Sequence, residues 1–319
     1  MKVSVIVPMR NEAANIERTL TSIRRAAHAA GVDHEIIVID NGSVDGGGGI
    51  AERQGARVVP SDGASIAALR NLGAELSDGE SLAFVDADME MPEPWLRLWM
   101  ECTRAGRADL LAMVHVPPAV APWYARIWGH RILAQRAIEG FRDHLPSANL
   151  CMLRRTFEDV GGFDIRLRSG EDKDFTLRLH AAGYRLLSLP SPAAIHWGYE
   201  KDFGEWVRKE FWRQSSHGAL LAKGGFGKLR LLRFPLVAIG HWVADILAIV
   251  ALLAGATALA LACLALSLLP SLLITFRHPL NRSLAVLPRM WFMHWLRFHI
   301  GGVAVVTGLM GLAERRVRT

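Results

Sequence analysis

Residues 234–276 run almost without interruption through apolar side chains, and this stretch limits what the chain can fold into more than any other feature. A helix needs about 20 apolar residues to cross a bilayer, so the run suits two crossings joined as a tight hairpin that turns near Gly255. Lys228, Arg230 and Arg233 flank one side, and Arg277, His278 and Arg282 flank the other. Lys and Arg accumulate on cytoplasmic flanks. A hairpin puts both flanks in the cytoplasm, whereas a single span does not. A third apolar stretch, 300–312, is short for a span, follows His294, Arg297 and His299, and reads as interfacial or re-entrant. Inside the hairpin, His241 and Asp245 are four apart and share a helical face. An ionisable group at mid-membrane costs about 2.5–3.5 kcal/mol on insertion scales, which makes function the default hypothesis. The simpler reading, favoured here, is a polar patch joining the two hairpin helices or positions close to the interface.

The same run explains the composition. The apolar share of the 319 residues is 51% and the mean hydropathy is +0.19. Both are high for a soluble enzyme, and the excess lies after about residue 234, so the part before it is expected to be soluble. The formal charge is +6, with the basic residues clustered around the apolar segments. That placement fits an anionic membrane surface and not nucleic acid. Cys102, Cys151 and Cys263 have no CxxC spacing and indicate a reducing compartment, neither a disulfide framework nor a zinc site. Met1-Lys2 leads straight into a β-branched run that stops at Pro8. A secretory signal needs a longer apolar region, so the N-terminal part is expected to stay in the cytoplasm.

Residues 3–7, 35–39, 57–59 (closed by Pro60) and 81–85 read as short strands, and 11–29 and 65–76 as helices. Strands this apolar, alternating with helices, imply an α/β fold with a mostly parallel sheet covered on both faces. In such sheets ligands bind at the carboxyl ends of the strands. Residues 46–49 are a glycine run, read as a flexible turn. The region 90–200 is less regular, with Pro92, Pro94, Pro117, Pro118 and Pro122 and a turn signal at Gly161-Gly162. Residues 203–233 are rich in Trp, Phe, Lys and Arg, as helices at a membrane interface are.

The strongest chemical signal is Phe84-Val85-Asp86-Ala87-Asp88. Two carboxylates one residue apart, just past a buried strand, can hold a hard divalent cation that in turn binds phosphates. An isolated pair of this kind is more often a solvated loop, and the strand end reverses that balance. Asp40-Asn41-Gly42-Ser43 is a second strand end. There Asp40 can accept from a ribose hydroxyl or a base N–H, or equally make an Asx-turn or helix cap.

Val5-Ile6-Val7-Pro8 with Asn11-Glu12 resembles the opening of the family 2 glycosyltransferases of the GT-A fold. So do Asp40-Asn41-Gly42-Ser43 with Asp45, Arg70-Asn71, Asp86-Ala87-Asp88, Val160-Gly161-Gly162-Phe163-Asp164 and Gly170-Glu171-Asp172, in that order over about residues 1–200. The resemblance implies inverting transfer of a sugar from a nucleotide diphosphate donor. Pro8 and Glu12 would shape the nucleotide pocket, and Asp40 would contact base or ribose, with Arg70 nearby. Asp86 would lie near the sugar or ribose, Asp88 would bind Mn²⁺ or Mg²⁺, and Asp172 would be the general base with Glu171 beside it. His196 matches a histidine that some members direct at the metal or diphosphate. The chemistry is coherent: an attacking hydroxyl needs a carboxylate base, and a leaving diphosphate needs a cation. Read without the family, Glu171-Asp172 would be acids favouring a helix N-terminus, His196 a buried or capping histidine, and Arg178 a salt-bridge partner.

The processive members' Gln-x-x-Arg-Trp element has no counterpart; the nearest segment is Glu210-Phe211-Trp212-Arg213-Gln214. Addition of a single sugar is therefore expected. The expected architecture is a GT-A domain over 1–200, interfacial helices over 201–233 and a membrane region over 234–319, multi-pass in the inner membrane with the catalytic domain facing the cytoplasm. The donor is a nucleotide sugar, with UDP favoured through Asp40 and the resemblance. The acceptor is a membrane-associated glycan or lipid. Polyprenyl-phosphate glycosyl transfer is the nearest rival, suggested by Met91-Pro92-Glu93 after Asp88. A non-catalytic membrane subunit that retains the fold is the rival of another class.

Overall fold

A computed structural model of the chain describes residues 1–135, 138–167, 170–222, 233–277 and 286–309. It has two compact units, Met1–Val120 with Arg136–Tyr199, and Ala121–Gln135 with Glu200–Thr319. In chain order the elements up to Tyr199 are β1 (Val3–Met9), α1 (Ile16–Ala30), β2 (His34–Asn41), α2 (Gly47–Arg53), β3 (Arg57–Ser61), α3 (Ile66–Glu75), β4 (Ser81–Val85), β5 (Met89–Glu90), α4 (Trp95–Arg104), β6 (Leu110–Val116), α5 (Trp123–Gln135), β7 (Gly140–Phe141), β8 (Asn149–Leu153), α6 (Arg154–Asp159), α7 (Glu171–Ala181) and β9 (Leu186–His196).

All of these except α5 belong to the first unit. Its strands form a single sheet in the order β3-β2-β1-β4-β8-β6-β9-β5, with β7 on β9. β3, β2, β1 and β4 are parallel. β8 enters antiparallel between β4 and β6, and β6 and β9 return to parallel pairing. The mostly parallel expectation thus describes the first four strands, and the whole sheet is mixed. Side-chain alternation explains why both faces are covered. Ala83 and Val85 of β4 pack into a core with α1 and α4, whereas Leu82 and Phe84 pack with Phe157, Phe163 and Phe175 on the other face. Residues two apart share a face, so a strand apolar at every position needs helices on both sides.

Two local expectations are corrected. β3 does not close at Val59 but continues through Pro60, which pairs with Asp40. β3 is an edge strand, where a residue without an N–H is tolerated. The glycine run 46–49 is not a flexible turn but the start of α2, entered through Gly46 at φ +83°. Its lack of side chains is required: a Cβ at Gly48 would stand 2.8 Å from Asp40 Oδ2, and one at Gly47 3.1 Å from Asp45 Oδ1.

The second unit is helical, with α5, α8 (Phe203–Ala222), α9 (Arg233–Leu253), α10 (Thr257–Arg277) and α11 (Leu287–Leu309). α9 and α10 are both long and apolar enough to cross a membrane. They turn at Gly255, whose φ of +74° admits the left-handed backbone that ends α9. Leu236, Ile246, Leu252, Leu261, Leu273 and Phe276 are exposed on this hairpin, an apolar outer surface suited to lipid. Of the basic flanks, Arg233 and Arg277 begin and end the hairpin; Lys228, Arg230, His278 and Arg282 lie outside the described residues, as do 310–312. The apolar stretch from residue 300 is not a short segment of its own. It is the second half of the 23-residue α11, whose first half carries Arg289, His294 and Arg297 and so lowers its hydropathy. α5, expected within the nucleotide-sugar domain, belongs to this unit, where Trp128 meets Trp206 edge-on at 5.4 Å. Of the polar pair in the hairpin, His241 meets the Ser267 hydroxyl of α10 at 3.4 Å, whereas the hydrogen-bond partner of Asp245 among the described residues is His299 of α11, at 2.8 Å.

Candidate functional site

The carboxyl ends of β1, β2 and β4 carry most of the residues singled out in the sequence. Pro8 lies near the end of β1, opposite Ile39, and the strand is buried through Met9. The loop that follows is tied to the loop after β2. Asn11 adopts φ +56°, its backbone N–H donates to Ser43 Oγ, and its Oδ1 accepts from the N–H of Val44, both at 2.9 Å. The N–H of Ala13 donates to Asp45 Oδ2 at 2.8 Å. These bonds fix Glu12, whose carboxylate accepts from Asn15 Nδ2 at 2.8 Å. Burial raises the Glu12 carboxyl above its ordinary value; Asn15 opposes this, and the charge of Asp88 adds to it. Asp40 Oδ1 accepts from the N–H of Ser43, three residues on, at 3.0 Å, which closes the turn after β2.

β4 ends at Val85, and the next three residues are held in place by backbone. The N–H of Asp86 donates to Ala148 O, that of Met89 to Asp86 O, and that of Trp197 to Asp88 O. Pairing of β5 with β9 sets Met89 against His196, so two segments more than a hundred residues apart meet at Asp88. His196 Nε2 lies 3.1 Å from Asp88 Oδ2. Gly198 completes this corner: a Cβ there would stand 1.8 Å from Asp88 Oδ2 and 3.1 Å from His196 Nε2. An imidazole and a carboxylate converging across a space that only glycine leaves open are a donor set suited to Mn²⁺ or a similar divalent ion.

A second cluster surrounds Arg70 on α3. Its Nη2 donates to Asp86 Oδ1 and its Nη1 to Glu171 Oε1, both at 2.8 Å. The guanidinium is buried and lies 5.4 Å from the Phe163 ring. Burial works against its charge, but Asp86 and Glu171 outweigh that and raise its pKa. The resemblance placed Arg70 near Asp40; its bonded partners in the structure are Asp86 and Glu171. It links the β4 end to the α7 N-terminus, because α3 packs along β1 and β4 lies on the other side of β1. Asp172 follows Glu171 at that N-terminus. Burial raises its carboxyl, with Arg70 opposing and Asp86 adding to the rise. Burial likewise raises Glu171, against Arg70. The bend that carries Phe163 under Arg70 is held by Asn71, whose Nδ2 donates to Phe163 O at 2.8 Å and whose Oδ1 accepts from Phe163 N at 2.9 Å. Arg178 is a structural partner as expected, bonded to Asp174 Oδ2 at 2.9 Å and to the Gly162 carbonyl.

The structure thus brings Glu12, Asp88 and His196 into one electrostatic group and Arg70, Asp86, Glu171 and Asp172 into another, joined through residues 86–88. Asp40 is bonded only to its own turn among the described residues. Sequence reasoning missed Gly198 and named Asp45 in its motif without a role; the Gly directly after His196-Trp197 was the available signal for the first.

Residues 4–158 match the family described as Glycosyl transferase family 2. Glycosyltransferase AglE of Haloferax volcanii is 29% identical over 217 residues, covering 66% of this chain and 70% of that protein. The pre-mycofactocin glycosyltransferase of Mycobacterium tuberculosis is 29% identical over 230 residues, covering 67% of this chain; the match spans 46% of that longer protein. Among solved structures, a mannosyltransferase of Pyrobaculum calidifontis in complex with GDP-Man and Mn²⁺ superposes with a TM-score of 0.64 at 18% identity, over 95% of this chain and 86% of that one. Staphylococcus aureus TarS in complex with UDP-GlcNAc superposes with a TM-score of 0.51 at 16% identity, over 98% of this chain and 92% of that one.

Proposed function

Because the chain belongs to glycosyl transferase family 2, we propose that it transfers a single sugar, with inversion, from a nucleoside diphosphate sugar to a membrane-associated lipid or lipid-linked glycan. The observation that carries this reading is the corner formed by Asp88, His196 and Gly198, with Oδ2 and Nε2 3.1 Å apart. Asp88 and His196 would hold a divalent ion, Mn²⁺ or Mg²⁺, which when bound supplies the positive charge that stabilises a leaving diphosphate. The P. calidifontis neighbour carries Mn²⁺ with its GDP-Man, in keeping with this.

Asp40 and the cross-linked loops around Glu12 and Asp45 form the floor for the nucleoside, with Pro8 beneath. UDP is the favoured nucleotide. Arg70 holds Asp86 toward the donor and Glu171 in place beside Asp172. Asp172 accepts the proton of the acceptor hydroxyl as its oxygen attacks the sugar carbon. Burial raises its pKa, which makes it a better proton acceptor than an ordinary aspartate when deprotonated. The membrane hairpin supports an acceptor embedded in the bilayer, and the basic flanks support a multi-pass protein whose catalytic domain, residues 1–200, faces the cytoplasm.

The test is transfer and donor hydrolysis by full-length protein with membrane-extracted acceptors. Asp88→Ala is expected to abolish both, and Asp172→Asn to abolish transfer. Full activity in both variants would overturn the reading. Retained transfer by Asp172→Asn to polyprenyl phosphate alone would point to the phosphate acceptor, which is already ionised.

A further inference from the structure

The helical unit holds a cluster that sugar transfer does not use. His241 and Asp245 lie one turn apart on α9, and His299 reaches them from α11. His299 Nε2 is 2.8 Å from Asp245 Oδ2, and the His241 and His299 rings stand edge-on with centroids 4.5 Å apart. One ligand atom from each of the three lies within 4.8 Å of the other two. His241 is buried, with the Ser267 hydroxyl of α10 3.4 Å from its Nδ1.

The hydrogen bonds define what this cluster is missing. His299 Nδ1 is 3.0 Å from the Trp295 carbonyl oxygen. A carbonyl only accepts, so Nδ1 carries the proton and Nε2 of the neutral ring presents a lone pair. That lone pair faces a carboxylate oxygen, itself an acceptor. Two acceptors at this distance need a cation shared between them, a proton or a metal ion. Three observations favour the metal. An Nδ1–H bond to a backbone carbonyl is the outer contact that orients metal-binding imidazoles. His241 brings a second imidazole nitrogen within 4.8 Å of both ligand atoms, which a proton shared by His299 and Asp245 does not require. The helices are also built for close approach: a Cβ at Gly301 would stand 2.5 Å from the Phe234 ring, and one at Gly302 2.3 Å from the Trp242 ring. Trp242 Nε1 further donates to the His299 carbonyl at 2.9 Å.

We propose that His241, Asp245 and His299 bind a divalent transition-metal ion that fastens α9 to α11. Two imidazoles and a carboxylate are a set that Zn²⁺ accepts, with one position left open, and the ion's charge offsets a carboxylate set among apolar helices. The site is separate in sequence and in unit from Asp88 and His196.

The experiment uses full-length protein in detergent, in an Asp88→Ala background that removes metal binding at the nucleotide site. After chelation, Zn²⁺ is added, excess is removed, and bound zinc per chain is read by mass spectrometry together with the apparent Tm. One zinc per chain and a raised Tm are expected, and both are lost on adding His299→Gln or Asp245→Asn. Should those variants fail to fold, Co²⁺ in the Asp88→Ala protein reads the site directly, as visible ligand-field absorption that Zn²⁺ displaces. No retained zinc and no cobalt spectrum, or zinc undiminished by folded His299→Gln and Asp245→Asn, would overturn the proposal and leave a shared proton as the cation.

Discussion

Gly198→Ala is the substitution that separates function from stability most cleanly in this protein. The added Cβ would sit 1.8 Å from Asp88 Oδ2. To reach ordinary contact the oxygen must retreat by about 1.6 Å. The Asp88 backbone has no such freedom, because its carbonyl accepts from Trp197 N at 2.8 Å and the next residue, Met89, pairs with His196. The Asp88 side chain must therefore swing as a whole, since its carboxyl carbon also stands 2.8 Å from the new Cβ, and this takes Oδ2 away from its present place beside His196 Nε2. Misplacing a reacting constellation by about 1 Å costs on the order of 10²-fold in rate, or about 2.7 kcal/mol of transition-state stabilisation. The atoms that move, Oδ2 and the carboxyl carbon (2.8 Å from the added Cβ), belong to one side chain, and the Gly198 backbone lies outside the left-handed region. Stability is expected to change by less than about 1 kcal/mol. The assay is kcat/KM for transfer as a function of Mn²⁺ concentration, with the apparent Tm of the same preparation. A fall of about 10²-fold, a higher Mn²⁺ concentration at half-maximal rate and a Tm within a few degrees of wild type are expected. Wild-type kcat/KM and Mn²⁺ dependence in Gly198→Ala would refute the assignment of this corner.

Arg70→Leu strands Glu171, whose side chain is 9% exposed, and is expected to lower stability by about 3–5 kcal/mol, read by denaturant or thermal unfolding; Arg70→Lys should fall between. The transfer rate should lose activity as pH falls through an inflection above the ordinary carboxylate range, since burial raises Asp172 and a base acts only when deprotonated. Removing the opposing charge with Arg70→Gln should move that inflection higher still, measured as a kcat/KM–pH profile. Glu210 on α8 is buried, yet Arg297 and Arg213 hold its carboxyl below its ordinary value against that burial. It thus contributes stability that is present above the unfolded carboxylate pKa and is lost as pH falls toward the lower folded value. Arg297→Leu should cost about 3 kcal/mol at neutral pH, with less acid-dependent loss of Tm than wild type.

Much of the site was legible because it depends on adjacency along the chain. Strand ends 38–40 and 84–86 announce themselves by apolar runs that stop at Asp40 and Asp86, and Ser65 caps α3 through its hydroxyl to the N–H of Ala68. What depends on contacts across the sheet was not legible. Gly198 matters only because β5 and β9 pair, and no local pattern reveals that α3 aims Arg70 at Glu171, about a hundred residues away. The glycines at 47–49 read as a turn because glycine is a poor helix former; the close approach of Asp40 and Asp45 outweighs that propensity. α11 was halved because Arg289, His294 and Arg297 interrupt its apolar pattern, while the Glu210 carboxylate that receives Arg297 at 2.8 Å lies on another helix.

The most direct test of the account is a thermal-shift titration of detergent-solubilised full-length protein with UDP, GDP, CMP and TDP, each with and without Mn²⁺, in wild type and Asp88→Ala. A ligand that binds only the folded state raises its stability by about 2.7 kcal/mol at a hundredfold excess over Kd. The expected result is a shift for one nucleotide, UDP by the present reading, that requires Mn²⁺ and disappears in Asp88→Ala. No shift with any nucleotide, or a shift that ignores both the metal and the loss of Asp88, would contradict it.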